Sequence, residues 1–355
     1  MTEGTPVNHH HDPVERADRA EGPEPTGSAW GRSQTEGLRI TRDLVYGRAR
    51  IHIHSQPQDR ELTLDLYQPL DCQPGDGRPA LVMAFGGAFH RGDKRQDEFE
   101  QAGQRNTPVS AYCVALARRG YVAASIDYRL VQEDPDPGTT PVIGNPQGIP
   151  LSRVAHVRQL LGLPPATAKM VWAGMEAAAD DMAQSVAFLQ AHAHALGLDA
   201  SRIAVGGFSA GARTALGCAY GERSPVAAVV SLSGFMADDD LLRLVVPGLP
   251  LPPALFIKGE HDLDYIAHQA GKLHAHFGQV GLMSQAWTVP EAGHFYAAER
   301  PALDADGRQA TVGAAVMAFL DEVLEADQAA GRRTTRAEAS VASTDSATPA
   351  PITRP

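Results

Sequence analysis

The sequence predicts an α/β fold: a mostly parallel central sheet with helices on both faces and loop insertions that form a cleft or lid. Three observations carry this. Strand-like and helix-like segments alternate, and strands separated by helices need crossover connections, which leave neighbouring strands parallel. The short run Pro79–Phe85 is continuously apolar, as strands covered on both faces are, and Tyr121–Ile126 reads as another buried strand. Several longer segments place apolar residues three and four apart, the spacing of one helical face.

The elements follow in order. Leu62, Leu64 and Leu66 alternate with Thr63, Asp65 and Tyr67, which predicts a half-buried strand. The buried strand Pro79–Phe85 comes next. Val109, Tyr112, Cys113 and Leu116 share a helical face, and Gly120 caps that helix. After the strand Tyr121–Ile126, a long helix carries Met175, Ala179, Met182, Val186, Leu189, Ala193 and Leu196 on one stripe and ends at Gly197. A strand at Ile203–Val205, a helix after Ser209 and strands at Val226–Leu232 and Ala254–Ile257 follow. A helix with Ile266, Ala270, Leu273 and Phe277 leads to a strand at Gln285–Val289. The last helix carries Val312, Val316, Phe319 and Val323. Two stretches break the rhythm. Val131–Pro165 is rich in Pro and Gly with a short helical patch, and Ala237–Pro253 holds the triplet Asp238–Asp240. Insertions at the strand ends of such a sheet build binding clefts or lids.

The 355 residues divide into three parts. Residues 1–36 are rich in Gly, Pro, Glu, Asp and Arg and predict a disordered segment. Residues 37–326 form the folded domain, and residues 327–355 predict a flexible tail. The net charge of -11 predicts no nucleic-acid partner. No apolar run is long enough for a membrane-spanning helix, and the N-terminus lacks the apolar core of a signal peptide, which predicts a cytoplasmic chain. Cys72, Cys113 and Cys218 have no paired spacing and predict reduced thiols. Neither CxxC nor HExxH occurs, so no metal site is expected. Oligomeric state is not legible.

Gly207-Phe208-Ser209-Ala210-Gly211 follows the strand Ile203–Val205 and precedes helix-compatible sequence, the setting in which a serine on a tight strand-to-helix turn becomes a nucleophile. Small residues two places before and after the serine let strand and helix approach closely. A glycine-rich turn that happens to hold a serine is the alternative, and the strand–turn–helix setting favours the functional reading. Serine needs a base to take its proton and an acid to orient that base. In this topology the order after serine is acid, then histidine. Asp262 lies just past the strand Ala254–Ile257 and is the candidate acid; Asp264 competes closely and Asp238–Asp240 less so. A turn or helix-capping residue is the other role open to Asp262. His294 follows Val289-Pro-Glu-Ala-Gly and is the candidate base. His192, His194, His268, His274 and His276 sit in helical stretches, His9–His11 lie in the N-terminal segment, and His261 neighbours the proposed acid. Phe85-Gly86-Gly87-Ala88 ends a buried strand, and the N–H groups of Gly87, Ala88 and Ala210 are the candidate oxyanion donors. Each such donor contributes on the order of 3 kcal/mol to transition-state stabilisation.

With these motifs the chain resembles the α/β-hydrolases, and among them the serine carboxylesterases of the hormone-sensitive-lipase-like and feruloyl-esterase-like group. The resemblance covers about residues 58–325 and rests on LTLDLYQP, GGAFHRGDK, DYRL at 127–130, GLDASRIAVGGFSAGA, KGEHD and EAGHF. It implies the α/β-hydrolase fold for residues 37–326 and hydrolysis of a small-molecule carboxylic ester through an acyl-enzyme on Ser209, with no cofactor. The family usually has His-Gly-Gly-Gly at the oxyanion turn. Here Phe85 stands for the histidine and Ala88 for the third glycine, so a polar anchor is lost while the N–H of alanine is kept. After DYRL the chain continues Val-Gln-Glu-Asp-Pro instead of the common Ala-Pro.

Phe85, Phe89, Phe208 and Phe295 flank the motifs and predict an aromatic substrate pocket, with core packing as the alternative. His90, Arg91, Asp93 and Lys94 read as a solvated loop with an internal ion pair. Two rivals share the motifs: a serine peptidase or amidase of the prolyl-oligopeptidase type, which usually carries a propeller domain of repeats that this chain lacks, and a hydrolase-fold binding protein, against which the complete Ser-His-Asp set argues. Acyl transfer to another acceptor is a third outcome that sequence does not separate from hydrolysis.

Overall fold

The computed structural model describes residues 35–325. The predicted N-terminal segment up to residue 34 and the predicted tail at 327–355 lie outside the described residues. Two long antiparallel strands open the chain, β1 (Leu38–Ile51) and β2 (Gln58–Pro69). β3 (Arg78–Ala84) follows, then a small hairpin of β4 (Glu100–Gln101) and β5 (Gln104–Arg105), helix α1 (Val109–Arg118) and β6 (Val122–Ile126). The first insertion carries α2 (Ser152–Leu160) and leads into α3 (Ala168–Ala191) and the short α4 (Ala193–Leu196). Next come β7 (Leu198–Phe208), α5 (Ala210–Leu216), which continues as a wider turn over Gly217–Gly221, and β8 (Ala228–Leu232). The second insertion carries α6 (Asp238–Leu244). β9 (Ala254–Gly259), α7 (Asp264–Gln279), β10 (Ser284–Val289), β11 (Pro301–Asp304), β12 (Gln309–Thr311) and α8 (312–325) complete the fold.

The ten-stranded sheet has the order β1-β2-β6-β3-β7-β8-β9-β10-β11-β12. Its six central strands, β6 to β10 in that order, are parallel, and both margins are antiparallel. From β3 the chain moves one place one way to β6, then back past β3 to β7. Right-handed crossovers therefore put α1 on one face and α3, α5 and α7 on the other. α8 returns to the face of α1, where Tyr121 Oη donates to Asp321 Oδ1 at 2.9 Å. The predicted stripes are the buried ones: Ile266, Ala270, Leu273 and Phe277 of α7 all face the core. α1 ends at Gly120 as expected, with the N–H groups of Gly120 and Tyr121 on the carbonyls of Ala117 (3.1 Å) and Leu116 (3.2 Å). The single helix predicted up to Leu196 is instead two, broken at His192. Among the described residues, no helix is long and apolar enough to cross a membrane, no group of three or more His, Cys, Asp or Glu could hold a metal ion, and all three cysteines are buried and free.

Arg129, at the end of β6, is fully buried and fixes the start of the first insertion. Its Nε and backbone N–H reach Asp181 of α3 at 2.9 and 2.7 Å, and it also bonds the carbonyl of Asp136 at 2.7 Å. The second insertion buttresses the first. Asp240 of α6 accepts from Gly144 N–H at 2.8 Å, and Arg243 donates to the Val142 carbonyl at 2.6 Å.

The segment after β3 is not the solvated loop that its charged residues suggest. Lys94 is buried, with Nζ 2.5 Å from Asp127 and 2.9 Å from Asp43, and Arg95 pairs with both Asp65 (2.7 Å) and Asp43 (2.6 Å). These pairs tie the segment to β1 and β2. The Arg95 hydrogen bond, and then that of Lys94, holds the Asp43 carboxyl at about 2 against its ordinary 3.8. A depressed carboxyl pKa stabilises the fold fully above the unfolded value and loses that contribution as pH falls through the folded one. Asp43→Asn should therefore flatten the acid loss of stability between pH 3.8 and about 2. Melting temperatures of both proteins across that window test it, and parallel curves would exclude the contribution.

Candidate active site

Ser209 occupies the turn between β7 and α5 with φ 55° and ψ -112°, a left-handed conformation that non-glycine residues rarely hold. The flanking glycines make the turn possible. A Cβ on Gly207 would lie 2.5 Å from the Ala84 carbonyl oxygen, and one on Gly211 would lie 1.9 Å from it. Any side chain at either place would push β3 away from the turn.

The structure brings three predicted side chains together. Ser209 Oγ lies 2.8 Å from His294 Nε2, and His294 Nδ1 lies 2.7 Å from Asp262 Oδ1. They follow β7, β10 and β9, three parallel strands whose C-terminal ends share one edge of the sheet. Asp262 and His294 are buried, and Ser209 is half-buried. Asp264 begins α7 and does not touch His294. Asp238 pairs with Lys272 at 2.8 Å, Asp239 is exposed, and Asp240 pairs with Arg243 at 3.0 Å. His261 is exposed.

Two residues that the sequence did not single out complete the surroundings of Asp262. Ser233, just past β8, donates its hydroxyl to Asp262 Oδ2 at 2.6 Å and lies 3.0 Å from the Tyr296 hydroxyl, which donates to the Ile257 carbonyl at 2.9 Å. The N–H groups of Gly259 (3.2 Å) and Leu263 (2.8 Å) also reach the carboxylate. Asp262 is thus held as an acceptor from four sides.

Gly87, Ala88 and Phe89 are three successive residues with positive φ (104°, 56° and 61°). The N–H groups of Gly87, Ala88 and Ala210 meet no acceptor among the described residues. Ala88 and Ala210 line one cleft with Ser209. Phe85, where the sequence resemblance implies a histidine, is held by Tyr128, which stacks on it at 4.3 Å and donates to its carbonyl at 2.8 Å. A second anchor is His90. It is buried, its Nε2 accepts from Arg158 of α2 at 2.9 Å, and its Nδ1 therefore carries the proton that meets the Ala88 carbonyl at 2.6 Å. Burial pushes the His90 pKa down, which keeps this neutral tautomer.

The four phenylalanines separate. Phe89 lines the Ser209 cleft, and Phe295 lines an adjoining recess beside His294. Phe85 and Phe208 correct the expected pocket: both are buried in the core, Phe85 under the Tyr128 ring and Phe208 against His294 (5.5 Å), Phe295 (5.9 Å) and Tyr296 (5.8 Å). The first insertion roofs the cleft through Ile149, Pro150, Arg153 and Val154, as expected of an insertion at a strand end. No residue of 237–253 lines it.

This mostly parallel sheet with helices on both faces is the architecture of the α/β-hydrolase fold. Solved structures of esterase 2 from the planctomycete Thermogutta terrifontis share it. The form phosphonylated by cyclosarin is 18% identical with a TM-score of 0.50, over 74% of this chain and 85% of that one. The native form is 18% identical with a TM-score of 0.48, over 74% of this chain and 84% of that one. The family model BD-FAE matches residues 170–229, a span that contains the Ser209 turn and stops before Asp262 and His294. No curated protein matches the chain.

Proposed function

We propose that the chain is a carboxylic ester hydrolase that works through an acyl-enzyme on Ser209. The observation that carries this is the continuous line from Ser209 Oγ to His294 (2.8 Å) and on to Asp262 (2.7 Å), with the serine held in a strained turn at the mouth of a cleft. His294 takes the Ser209 proton as Oγ attacks the ester carbonyl. Asp262 holds the imidazole with its proton on Nδ1 and balances the charge that develops. The N–H groups of Gly87, Ala88 and Ala210 receive the oxyanion. His294 then protonates the leaving alcohol, and water activated by the same imidazole releases the acid. The BD-FAE match and the esterase neighbours support this reading, as does the resemblance in sequence.

A p-nitrophenyl ester series from acetate to dodecanoate, with peptide amides alongside, tests the reading on the native chain and on Ser209→Ala. Serine-dependent ester turnover is expected. Turnover of amides alone would move the peptidase reading ahead.

Ser233 is a positioning residue in this scheme. Losing its hydrogen bond to a charged group costs on the order of 1.5 kcal/mol. Ser233→Ala should therefore lower kcat by roughly tenfold with KM little changed, and a KM effect alone would remove it from the scheme.

A further inference from the structure

The cleft that opens on Ser209 has an apolar lining into which two charged side chains enter, and both are arginines. The chain as a whole is acidic, with a net charge of -11. Positive charge beside the serine is therefore not a property of the surface at large. One of the two, Arg213, is buried facing carboxylates of the protein itself: Asp240 at 3.4 Å, which it shares with Arg243, and the nearby Glu176. The other, Arg153 on the roof helix α2, has no such partner. It lies over the Phe295 ring at 5.2 Å and donates to Gln101 Oε1 at 2.8 Å. Among the described residues no carboxylate pairs with it; Asp262 attracts it only at longer range, and Arg91 repels it. Arg91 is likewise half-buried, lies over the Phe99 ring at 4.4 Å and has a buried Nε without a partner. The Phe99 and Phe295 rings are themselves 6.2 Å apart. Two guanidiniums are thus held near each other, partly out of water and on aromatic faces, and one of them, Arg153, lines the cleft with Ser209. Desolvation pushes both pKa values down. Leaving like charges desolvated without a counterion is unfavourable, and a carboxylate that arrives with the substrate removes that cost through charge-assisted hydrogen bonds.

We propose that the substrates are esters whose acyl chain ends in a carboxylate, half-esters of dicarboxylic acids, with Arg153 receiving the carboxylate and Arg91 reinforcing the positive field behind it. The inference rests on the esterase reading above. The acyl side is assigned because Arg153 lines the cleft of Ala88, Ser209 and Ala210, whereas the recess beside His294, past whose Nε2 the leaving alcohol departs, carries the exposed Asp264 and is not lined by Arg153.

The test compares monomethyl esters of succinate, glutarate and adipate with the corresponding neutral methyl ester amides, followed by pH-stat. The best half-ester should exceed its amide counterpart at least tenfold in kcat/KM, chiefly through KM, and added salt should shrink the ratio. Arg153→Met should bring the ratio to about one, and Arg153→Lys should keep part of it. A native ratio of one or less, with the amide esters still hydrolysed, overturns the substrate class and leaves the esterase reading standing. A preserved ratio in Arg153→Met overturns the role of Arg153. If the native chain hydrolyses neither these esters nor the p-nitrophenyl series, the esterase reading fails and this inference with it.

Discussion

On the proposed mechanism, Ser209→Ala should lower kcat for p-nitrophenyl esters by roughly six orders of magnitude and leave the fold unchanged. The size of the effect comes from the loss of the attacking atom. In that mechanism His294 and Asp262 act through Oγ, so they should contribute almost nothing once it is gone, and the residual rate should be that of the oxyanion donors and binding alone. The fold survives because alanine keeps the Cβ and the hydrogen bond from Ser209 N–H to the Leu232 carbonyl (2.8 Å) is a backbone bond. Matching melting curves separate lost chemistry from lost structure. Paraoxon gives an independent readout. In the native chain Ser209 Oγ forms a bond to phosphorus, the P–O bond to p-nitrophenolate breaks, and the serine proton passes to His294 and then to solvent. One equivalent of p-nitrophenol per chain is expected, with none from Ser209→Ala. An alanine variant that turned over esters at the native rate would remove Ser209 from the mechanism.

The parts of the site that sequence made legible are those fixed by local sterics. Gly207 and Gly211 are glycines because each lies against the Ala84 carbonyl, so five consecutive residues record the turn. His294 is marked by chain order and by its loop past a strand. The choice between Asp262 and Asp264 stayed open because both follow β9 within a few residues. What separates them in space is a turn in which Gly259 and Leu263 N–H groups hold the Asp262 carboxylate toward His294 while Asp264 begins a helix. Ser233 and Tyr296 left no signal. A lone serine at a strand end has no motif, and its partner Asp262 is 29 residues away.

Non-local pairing also explains the misread elements. β1 was not foreseen because two register irregularities, at Thr41/Leu44 and Val45/Gly47, break the alternation that marks a strand. The charged run after Gly87 reads as solvated until β1, β2 and the end of β6 supply Asp43, Asp65 and Asp127. Phe85 and Phe208 adjoin the motifs in sequence, yet their side chains enter the core, since neighbouring a site along the chain does not set which face a residue presents.

Asp262→Asn carries the second large effect, a fall in kcat of up to roughly 10⁴, while Asp264→Asn should stay within a few fold of native. The carboxylate accepts at both oxygens, from His294 Nδ1 (2.7 Å) and Leu263 N–H (2.8 Å) on one and from Ser233 (2.6 Å) and Gly259 N–H (3.2 Å) on the other. An asparagine has one accepting oxygen for these two sides. If its oxygen faces His294, the Nδ1–H tautomer survives, its NH₂ opposes the Gly259 N–H, and the charge that stabilises the imidazolium is gone. If its NH₂ faces His294, the imidazole must carry its proton on Nε2, where it can no longer take the proton from Ser209. The second orientation accounts for the full 10⁴ and the first for less, so the size of the loss reports which one the pocket selects. Asp264 meets no such conflict, because it contacts neither His294 nor Ser209. Near-native kcat in Asp262→Asn together with a large loss in Asp264→Asn would transfer the acid role two residues along the chain.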